Sequence, residues 1–264
     1  MVTQQGITEG NNGWAPDKIA EQLARDGFAY LSTPQLTTLA NIESKDCAAL
    51  QELWVNLPAD KYMPLESICR FRRYGSFHQY CTMNGLMDRL EAAELRPHWQ
   101  PEEYNRIYGG KERWFAPLTG LSQLSYWAQL LIGLGTIFRR VDHTNHWFIE
   151  THQIRVTSHL GIGDPTPEGL HRDGVDFVAI ILVNRQGIRG GITHIYSTKE
   201  NTTTSIMLVD HCSALILADK KVLHRTSVIF SQQIDQPGWR DVLVLTYRKD
   251  GFLDINNSQT LVAG

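Results

Sequence analysis

The 264-residue sequence predicts an α+β fold with one hydrophobic core. Residues 1–150 show mainly helical spacing of apolar side chains, whereas residues 151–250 form short β-rich runs separated by turn residues. No linker, internal repeat or low-complexity segment is evident between the two parts. We therefore expect a single domain over residues 1–264, in which the helical region supports the β-rich half and partly covers it as a lid.

The composition is that of an ordinary globular protein, with 42% hydrophobic and 20% charged residues. A net charge of -3 gives no reason to expect nucleic acid or a membrane surface as a partner. The cysteines at positions 47, 69, 81 and 212 form no C-x-x-C pair, so we expect four reduced thiols. The N-terminal residues lack the apolar run of a secretory signal, and we expect a cytoplasmic protein.

The predicted helices follow one another along the first half. Proline at position 16, helical apolar spacing and a glycine at position 27 predict a first helix, which leads into the short strand FAYLS. Residues 40–55, 83–95 and 101–108 also show helical patterns. The longest segment, residues 118–138, is almost long enough to span a bilayer, but its serine, glutamine and threonine residues favour a buried helix packed on a sheet.

The second half is predicted to consist mostly of β-strands. Its apolar runs alternate with turn-rich segments such as GIGDPTPEG and SQQIDQPGW. This spacing is typical of a sandwich or a barrel, with the long helix packed on one face of a sheet. The predicted strands cover residues 152–160, 175–184, 191–198, 204–209, 213–218, 221–230 and 241–249.

The segment GLHRDGVDFVAIILV contains a candidate metal site. His171 and Asp173 lie two positions apart, so on an extended strand they point to the same side. His224, inside the predicted strand 221–230, offers a third ligand. Two imidazoles and one carboxylate on one face of an ion leave the opposite face open, a pattern that suits non-haem Fe(II). The same ligands would also suit zinc with a bound water, as in a cupin-like hydrolase or isomerase.

An arginine opens the last predicted strand. A guanidinium binds a carboxylate through two parallel hydrogen bonds, which makes Arg240 a candidate anchor for a carboxylate ligand. If strands 221–230 and 241–249 form an antiparallel hairpin, Arg240 lies near its turn. Alternation places Thr246 and Arg248 on the same face of the strand, so Arg248 is the rival anchor.

Several of these segments resemble the iron(II)- and 2-oxoglutarate-dependent dioxygenases, most closely the bacterial branch that includes isoleucine hydroxylases. The resemblance is carried by PTPEGLHRDGVDFVAIILV, the GG of RGGITHIY, ALILADKKVLH and GWRDVLVLTYRK. FRRYGSF and YNRIYGGKERWFAPL are similar to the segments ahead of the barrel in that branch. The resemblance extends from about Phe71 onward, and it implies a double-stranded β-helix, or jelly roll, flanked by helices.

The resemblance also implies an activity. It implies Fe(II) on His171, Asp173 and His224 and 2-oxoglutarate held by Arg240. The implied reaction hydroxylates an unactivated C–H of a free L-amino acid or cyclic imino acid, consumes O2, forms succinate and CO2, and is supported by ascorbate. Aliphatic, citrulline-like and proline- or pipecolate-like substrates all fit. Related halogenases carry a small residue where this chain has Asp173, so hydroxylation is favoured. We expect no catalytic residue beyond the iron site.

A free amino acid presents a carboxylate and an ammonium group, which need a cation and acceptors. Arg73 and Arg113 are candidates for the carboxylate, and Glu168 for the ammonium because it lies three residues before the first ligand. Asn105 and Tyr108 are candidates to complete the pocket. A β-sandwich that binds a small molecule without chemistry stays an alternative, and a homodimer is left open.

Overall fold

The computed structural model describes residues 16–64, 68–82, 88–233 and 235–255. These residues form four α-helices: α1 (Pro16–Asp26), α2 (Thr33–Ala40), α3 (Ser44–Glu52) and α4 (Trp127–Val141). They also form thirteen strands: β1 (Phe28–Leu31), β2 (Arg70–Tyr80), β3 (Arg89–Ala92), β4 (His146–Thr157), β5 (Ile162–Gly163), β6 (Phe177–Gln186), β7 (Ile188–Gly190), β8 (Thr193–Ser197), β9 (Thr202–Ile206), β10 (Ala214–Ala218), β11 (Val222–Thr226), β12 (Ile229–Ser231) and β13 (Trp239–Arg248).

Seven of these strands form a main sheet in the order β1-β10-β6-β13-β4-β2-β3. Two smaller sheets have the orders β11-β8-β9 and β5-β12-β7. Every ladder between these described strands is antiparallel. The arrangement confirms the α+β, jelly-roll-like fold that the sequence predicts.

Both faces of the main sheet are buried. On β6 the odd-numbered residues from Phe177 to Val183 pack in the cluster that contains the helices. The even-numbered residues from Val178 to Leu182 pack in a second cluster, together with Ile195 of β8. A strand buried on both faces is a continuous apolar run, which is the pattern of FVAIILV.

The long predicted helix is α4, and it begins at Trp127 rather than at Leu118. Gly120, at φ 82°, and a 3-10 turn over Leu121–Gln123 precede it. The helix packs against α1 and α2 on the main sheet, where a side chain at Gly135 would collide with Gln79. No helix in the described ranges is long and apolar enough to cross a membrane.

Other helical predictions for the first half need correction. Within residues 83–95, Arg89–Ala92 form strand β3, whereas residues 83–87 lie outside the described residues. Residues 101–110 form successive turns instead of a helix. The turns are fixed by Asn105 Oδ1, which accepts hydrogen bonds from the backbone N–H groups of Ile107 and Tyr108 at 3.2 and 2.9 Å. Within the predicted helix 40–55, the helical residues are Ser44–Glu52, which form α3. Asn41, at φ 51°, ends α2 and so separates it from α3.

The first half also contributes two strands that the sequence analysis did not assign. They are β2 and the beginning of β4. Every residue of β2, from Arg70 to Tyr80, pairs with a residue of β4. Arg70 and Arg72 of β2 are buried together with apolar residues. Because the buried face of β2 is partly charged, its sequence lacks the apolar alternation that indicates a strand.

The predicted hairpin between strands 221–230 and 241–249 does not form. The first segment is divided into β11 and β12, which pair in the two smaller sheets. The second segment is β13, which pairs with β4 and β6 in the main sheet. His224 and Arg240 therefore reach the same cavity from different sheets rather than from one hairpin.

Two cysteines are bonded, contrary to the expectation of four reduced thiols. A disulfide joins Cys47 of α3 to Cys212, just ahead of β10. Cys69 and Cys81 are buried free thiols. The paired cysteines are 165 positions apart, a separation that gives no sequence signal of pairing.

Candidate active site

The three predicted metal ligands lie together in a cavity between the main sheet and the smaller sheets. Their nearest ligand atoms all lie within 4.8 Å of one another. Asp173 Oδ1 is 3.8 Å from His171 Nε2, and Asp173 Oδ2 is 3.7 Å from His224 Nε2. The two imidazole rings and the carboxylate therefore converge on one point, as a shared cation would require.

Backbone hydrogen bonds hold the two histidines side by side. His171 N donates to His224 O at 3.0 Å, and His224 N donates to His171 O at 2.8 Å. His171 and Asp173 lie in the segment before β6, so their convergence does not come from alternation along an extended strand. His171 Nδ1 lies 2.9 Å from Gly169 O, to which it can donate, and this orients Nε2 toward the other ligands.

Asp219 organises the segment that carries Asp173. Its carboxylate accepts hydrogen bonds from the backbone N–H groups of Asp173, Gly174 and Val175 at 3.0, 2.8 and 3.1 Å. Burial and the neighbouring Asp173 carboxylate raise the pKa of Asp219 to about 7. Sequence reasoning missed this residue, although an aspartate directly after the apolar run ALILA is a signal that could have found it.

The three candidate ligands are buried together and shift one another's pKa values. Burial raises the pKa of the Asp173 carboxyl, although the His171 ring opposes this. Burial, followed by the His171 ring, keeps the pKa of His224 well below its ordinary value, so this imidazole is neutral. Burial lowers the pKa of His171, but the carboxylates of Asp173 and Glu168 outweigh it and raise the pKa overall. A neutral imidazole and a carboxylate are the forms that bind a metal ion.

Arg240 lies in the same cavity, on β13. The residue is 3% exposed, and its Nε and Nη2 atoms find no hydrogen-bond partner among the described residues. Burial, and then the charge of Arg185, lower its pKa to about 10, so the guanidinium stays charged at neutral pH. Gly191, at φ 73°, makes room for it, because a Cβ there would lie 3.3 Å from Arg240 Cδ. A buried cation with free donors is suited to an anionic ligand.

Thr246 and Arg248, the other two β13 residues predicted to lie beside a carboxylate ligand, differ in position. Thr246 lines the cavity on the same face of β13 as Arg240. Arg248 is at the far end of β13 and is not among the described residues that line the cavity. It interacts with Asp176, Glu150 and Asp250, whose charges oppose the lowering of its pKa by burial. Arg248 also has a buried nitrogen, Nη1, without a partner among the described residues, but only Arg240 lines the cavity, so the geometry favours Arg240.

A cluster of three arginines lies elsewhere in the cavity. Arg70, Arg72 and Arg113 are 5%, 6% and 3% exposed, and each has one nitrogen without a partner in the described part of the chain. Asp60 binds Arg70 through Nε at 2.8 Å. Burial lowers the pKa of Arg72 to about 9, so this side chain also stays charged at neutral pH.

The predicted arginine Arg73 does not belong to this cluster. Side chains alternate along β2, so Arg73 points away from the cavity and Nη1 donates to Pro117 O at 3.1 Å. Arg70 and Arg72 occupy the inward positions instead. Sequence reasoning therefore selected the correct part of the chain but a residue on the outward face.

The remaining predicted residues line the cavity, with different roles. Glu168 Oε1 lies 3.5 Å from His171 Nε2, and its Oε2 has no partner among the residues described. Tyr108 lies under the guanidinium groups of Arg70 and Arg113, at 5.4 and 5.2 Å from its ring centroid. Asn105 is occupied by the turn of residues 105–108 and by a hydrogen bond to Gln100.

Gln100 is a second residue that sequence reasoning missed. Its Nε2 donates to Asp173 Oδ1 at 3.2 Å, and its Oε1 accepts from Arg113 Nη2 at 2.9 Å. The amide thus connects a candidate metal ligand to the arginine cluster. A single glutamine in PHWQPEEY gives no pattern by which the sequence could indicate this.

A second group of possible metal ligands, His98, Glu150 and His152, lines the same cavity. The Glu150 carboxylate already accepts from Tyr74 and Arg96, and it contacts His98 Nδ1 at 3.0 Å. His152 Nδ1 contacts a guanidinium nitrogen of the arginine cluster. Burial keeps the pKa of both imidazoles well below the ordinary value. A hydrogen-bonded carboxylate and an adjacent cation disfavour a metal here, so this group is a structural polar network.

Comparisons with known proteins agree with this geometry. Residues 51–246 match the 2OG-Fe dioxygenase family. The crystal structure of a BsmA homologue from Methylobium petroleophilum is similar at 35% identity and a TM-score of 0.84, covering 91% of this chain and 95% of that one. IDO from Bacillus thuringiensis shares the fold at 19% identity and a TM-score of 0.70, covering 90% and 97% of the two chains.

A curated relative is much longer than this chain. The bifunctional enzyme FlvA of Aspergillus flavus is 27% identical over 261 residues, which cover 88% of this chain and 31% of the fungal protein. This chain therefore spans about a third of the length of that relative. The similarity therefore concerns only a part of FlvA, and it does not show that this chain has the activity of the whole fungal protein.

Proposed function

Since the chain belongs to the 2OG-Fe dioxygenase family, we propose that it hydroxylates an unactivated C–H of a free amino acid or cyclic imino acid. The protein is a 2-oxoglutarate-dependent dioxygenase, an enzyme that uses Fe(II), 2-oxoglutarate and O2. Family membership sets aside the zinc hydrolase or isomerase and the non-catalytic sandwich. The observation that carries the proposal is the convergence of His171, Asp173 and His224 in one cavity with the buried, unpartnered nitrogens of Arg240.

The residues present fit the iron and its cosubstrate. His171, Asp173 and His224 would hold Fe(II) through two imidazoles and one carboxylate, with Gln100 and Asp219 orienting Asp173. When bound, Fe(II), 2-oxoglutarate and O2 supply the oxidation of the C–H bond and release succinate and CO2. Arg240 would bind the distal carboxylate of 2-oxoglutarate, with Thr246 beside it on the same face.

The opposite charges in the cavity suit the head group of an amino acid. Arg113 has an unpartnered Nε and Glu168 an unpartnered Oε2 within the described ranges, so one can bind a carboxylate and the other an ammonium. Arg70 adds a further free donor to the carboxylate side. Tyr108 packs against both arginines and limits their movement. These residues would fix the orientation of the substrate and so decide which C–H bond is oxidised.

The test is a screen of free amino acids with Fe(II), 2-oxoglutarate and ascorbate, with mass spectrometry of the product. We expect a mass gain of one oxygen for at least one amino acid, with one succinate formed for each product. If the purified protein binds Fe(II) and 2-oxoglutarate but no amino acid gains oxygen, the proposed substrate class is wrong.

Separate alanine variants of His171, Asp173 and His224 test the metal site. Each should abolish succinate formation and greatly weaken Fe(II) binding while the protein stays folded, because two ligands do not hold the ion. His194→Ala is the matched control, since His194 is a β8 histidine whose Nδ1 lies 2.8 Å from Ser205 Oγ. Unchanged iron content in the three ligand variants would refute the assignment.

A further inference from the structure

A second and larger cavity opens beside the candidate active site. Its volume is about 700 Å³, whereas the cavity that contains the candidate ligands has about 120 Å³. Tyr108 and Arg113 belong to the walls of both. We call the larger cavity the outer chamber and the smaller one the inner chamber. Because Tyr108 and Arg113 have a face on each chamber, the two chambers adjoin at these side chains.

The outer chamber has a mostly apolar wall. Ile107, Leu160 and Ile162 contribute to it and are 48%, 54% and 47% exposed. They come from two distant segments of the chain, and Met63 and Pro167 add further apolar surface. Single exposed apolar residues are common, but a group of them around one concave surface marks a binding site.

The inner chamber is narrow and the outer chamber is wide. Small-molecule sites usually have about 300–1,000 Å³, a range that the outer chamber meets with about 700 Å³ and the inner chamber, with about 120 Å³, does not. The outer chamber therefore offers the larger space for a ligand group.

The charged groups decide which part of the substrate lies inside. Glu168 is 3.5 Å from a candidate iron ligand, and Arg113 lies at the boundary between the chambers. A carboxylate and an ammonium bound by these two residues place the head group of an amino acid beside the metal. The space left for its side chain is then the apolar outer chamber.

We propose that the outer chamber binds the side chain of the substrate, so that the preferred substrates are amino acids with bulky apolar side chains, either aromatic or long aliphatic. This inference rests on the proposed function. Hydroxylation then occurs on a carbon near the α-carbon. One oxygen atom of O2 is inserted into that C–H bond, and the other enters succinate as 2-oxoglutarate loses CO2.

The first test compares alanine, valine, leucine, phenylalanine and tryptophan as substrates of the full chain with Fe(II) and 2-oxoglutarate. We expect kcat/KM to rise about tenfold or more from valine to the best bulky substrate, with the hydroxyl group near the α-carbon. Equal or better use of valine, or a hydroxyl group at the far end of the side chain, overturns the inference while the proposed function stands. No oxygen gain with any amino acid overturns both.

The second test introduces a charge into the outer chamber. Ile162→Glu should lower kcat/KM for the bulky substrate about tenfold or more and leave the KM for 2-oxoglutarate unchanged. Val209→Glu is the matched control, because Val209 is 52% exposed and is not among the described residues of either chamber. Leu160→Glu replaces Ile162→Glu if that variant does not fold. A folded chamber variant that uses the bulky substrate as well as the control does refutes the inference.

Discussion

Replacing Arg240 by methionine should weaken 2-oxoglutarate binding and at the same time stabilise the ligand-free protein. Methionine keeps the unbranched apolar stem of the side chain but removes the charge and the donors. Hydrogen bonds to charged groups are each worth about 1.5–3 kcal/mol, so the loss of a bidentate contact should cost about 3 kcal/mol or more. The KM for 2-oxoglutarate should therefore rise about 100-fold or more, with little change in the KM for the amino acid.

The effect on stability follows from the burial of an unpartnered charge. Burial lowers the pKa of Arg240 from 12.5 to about 10, and each pKa unit corresponds to about 1.4 kcal/mol. The folded and unfolded states are both protonated at pH 7, so the charge destabilises the fold by about 3 kcal/mol there, and this cost declines only above pH 10. Arg240→Met should therefore raise the melting temperature without ligands by up to roughly 10 °C.

The assays are succinate formation as a function of each substrate concentration, and thermal unfolding with and without 2-oxoglutarate. With the metal already present, added 2-oxoglutarate should raise the melting temperature of the unaltered protein but have little effect on that of Arg240→Met. Arg248→Met is the matched control, since it removes an arginine from the far end of the same strand. The reasoning is refuted if both substrates lose affinity equally, or if Arg248→Met alone weakens 2-oxoglutarate binding.

Three further predictions follow from the site. Asp219→Asn should weaken Fe(II) binding about 10- to 100-fold, measured by metal titration, because the amide cannot accept all three backbone hydrogen bonds; unchanged affinity would contradict this role. Arg113→Gln should raise the KM for the amino acid at least about tenfold in succinate assays, whereas Arg73→Gln should not, because Arg73 points away from the cavity. The contribution of His98 and His152 to the free energy of unfolding should fall as the pH drops below 6.5, by up to about 1.4 kcal/mol per pH unit each, because their depressed pKa values keep them neutral in the fold while the unfolded chain takes up protons. Chemical denaturation between pH 7 and 5.5, compared between the unaltered protein and a variant with both histidines replaced by glutamine, measures this contribution as the difference in slope.

Local signals carried much of the fold prediction. The apolar run after Asp173 predicts β6, because a strand buried on both faces has no polar positions. The helical spacing after Pro16 predicts α1 with its correct ends. Strand β2 was missed because this local signal is absent from it. Buried arginines take the place of the apolar residues by which an inward face is recognised.

The sequence by itself selected the candidate ligands His171, Asp173 and His224 and the two candidate anchors Arg240 and Arg248, because spacing and the order of motifs along the chain are local properties. Only the tertiary structure decided which side chains meet. It placed His224 and Arg240 on different sheets, turned Arg73 outward, brought Asp219 and Gln100 to Asp173, and joined Cys47 to Cys212. The physical reason is that strand alternation defines a face, whereas the partner across that face depends on long-range pairing that no local pattern contains.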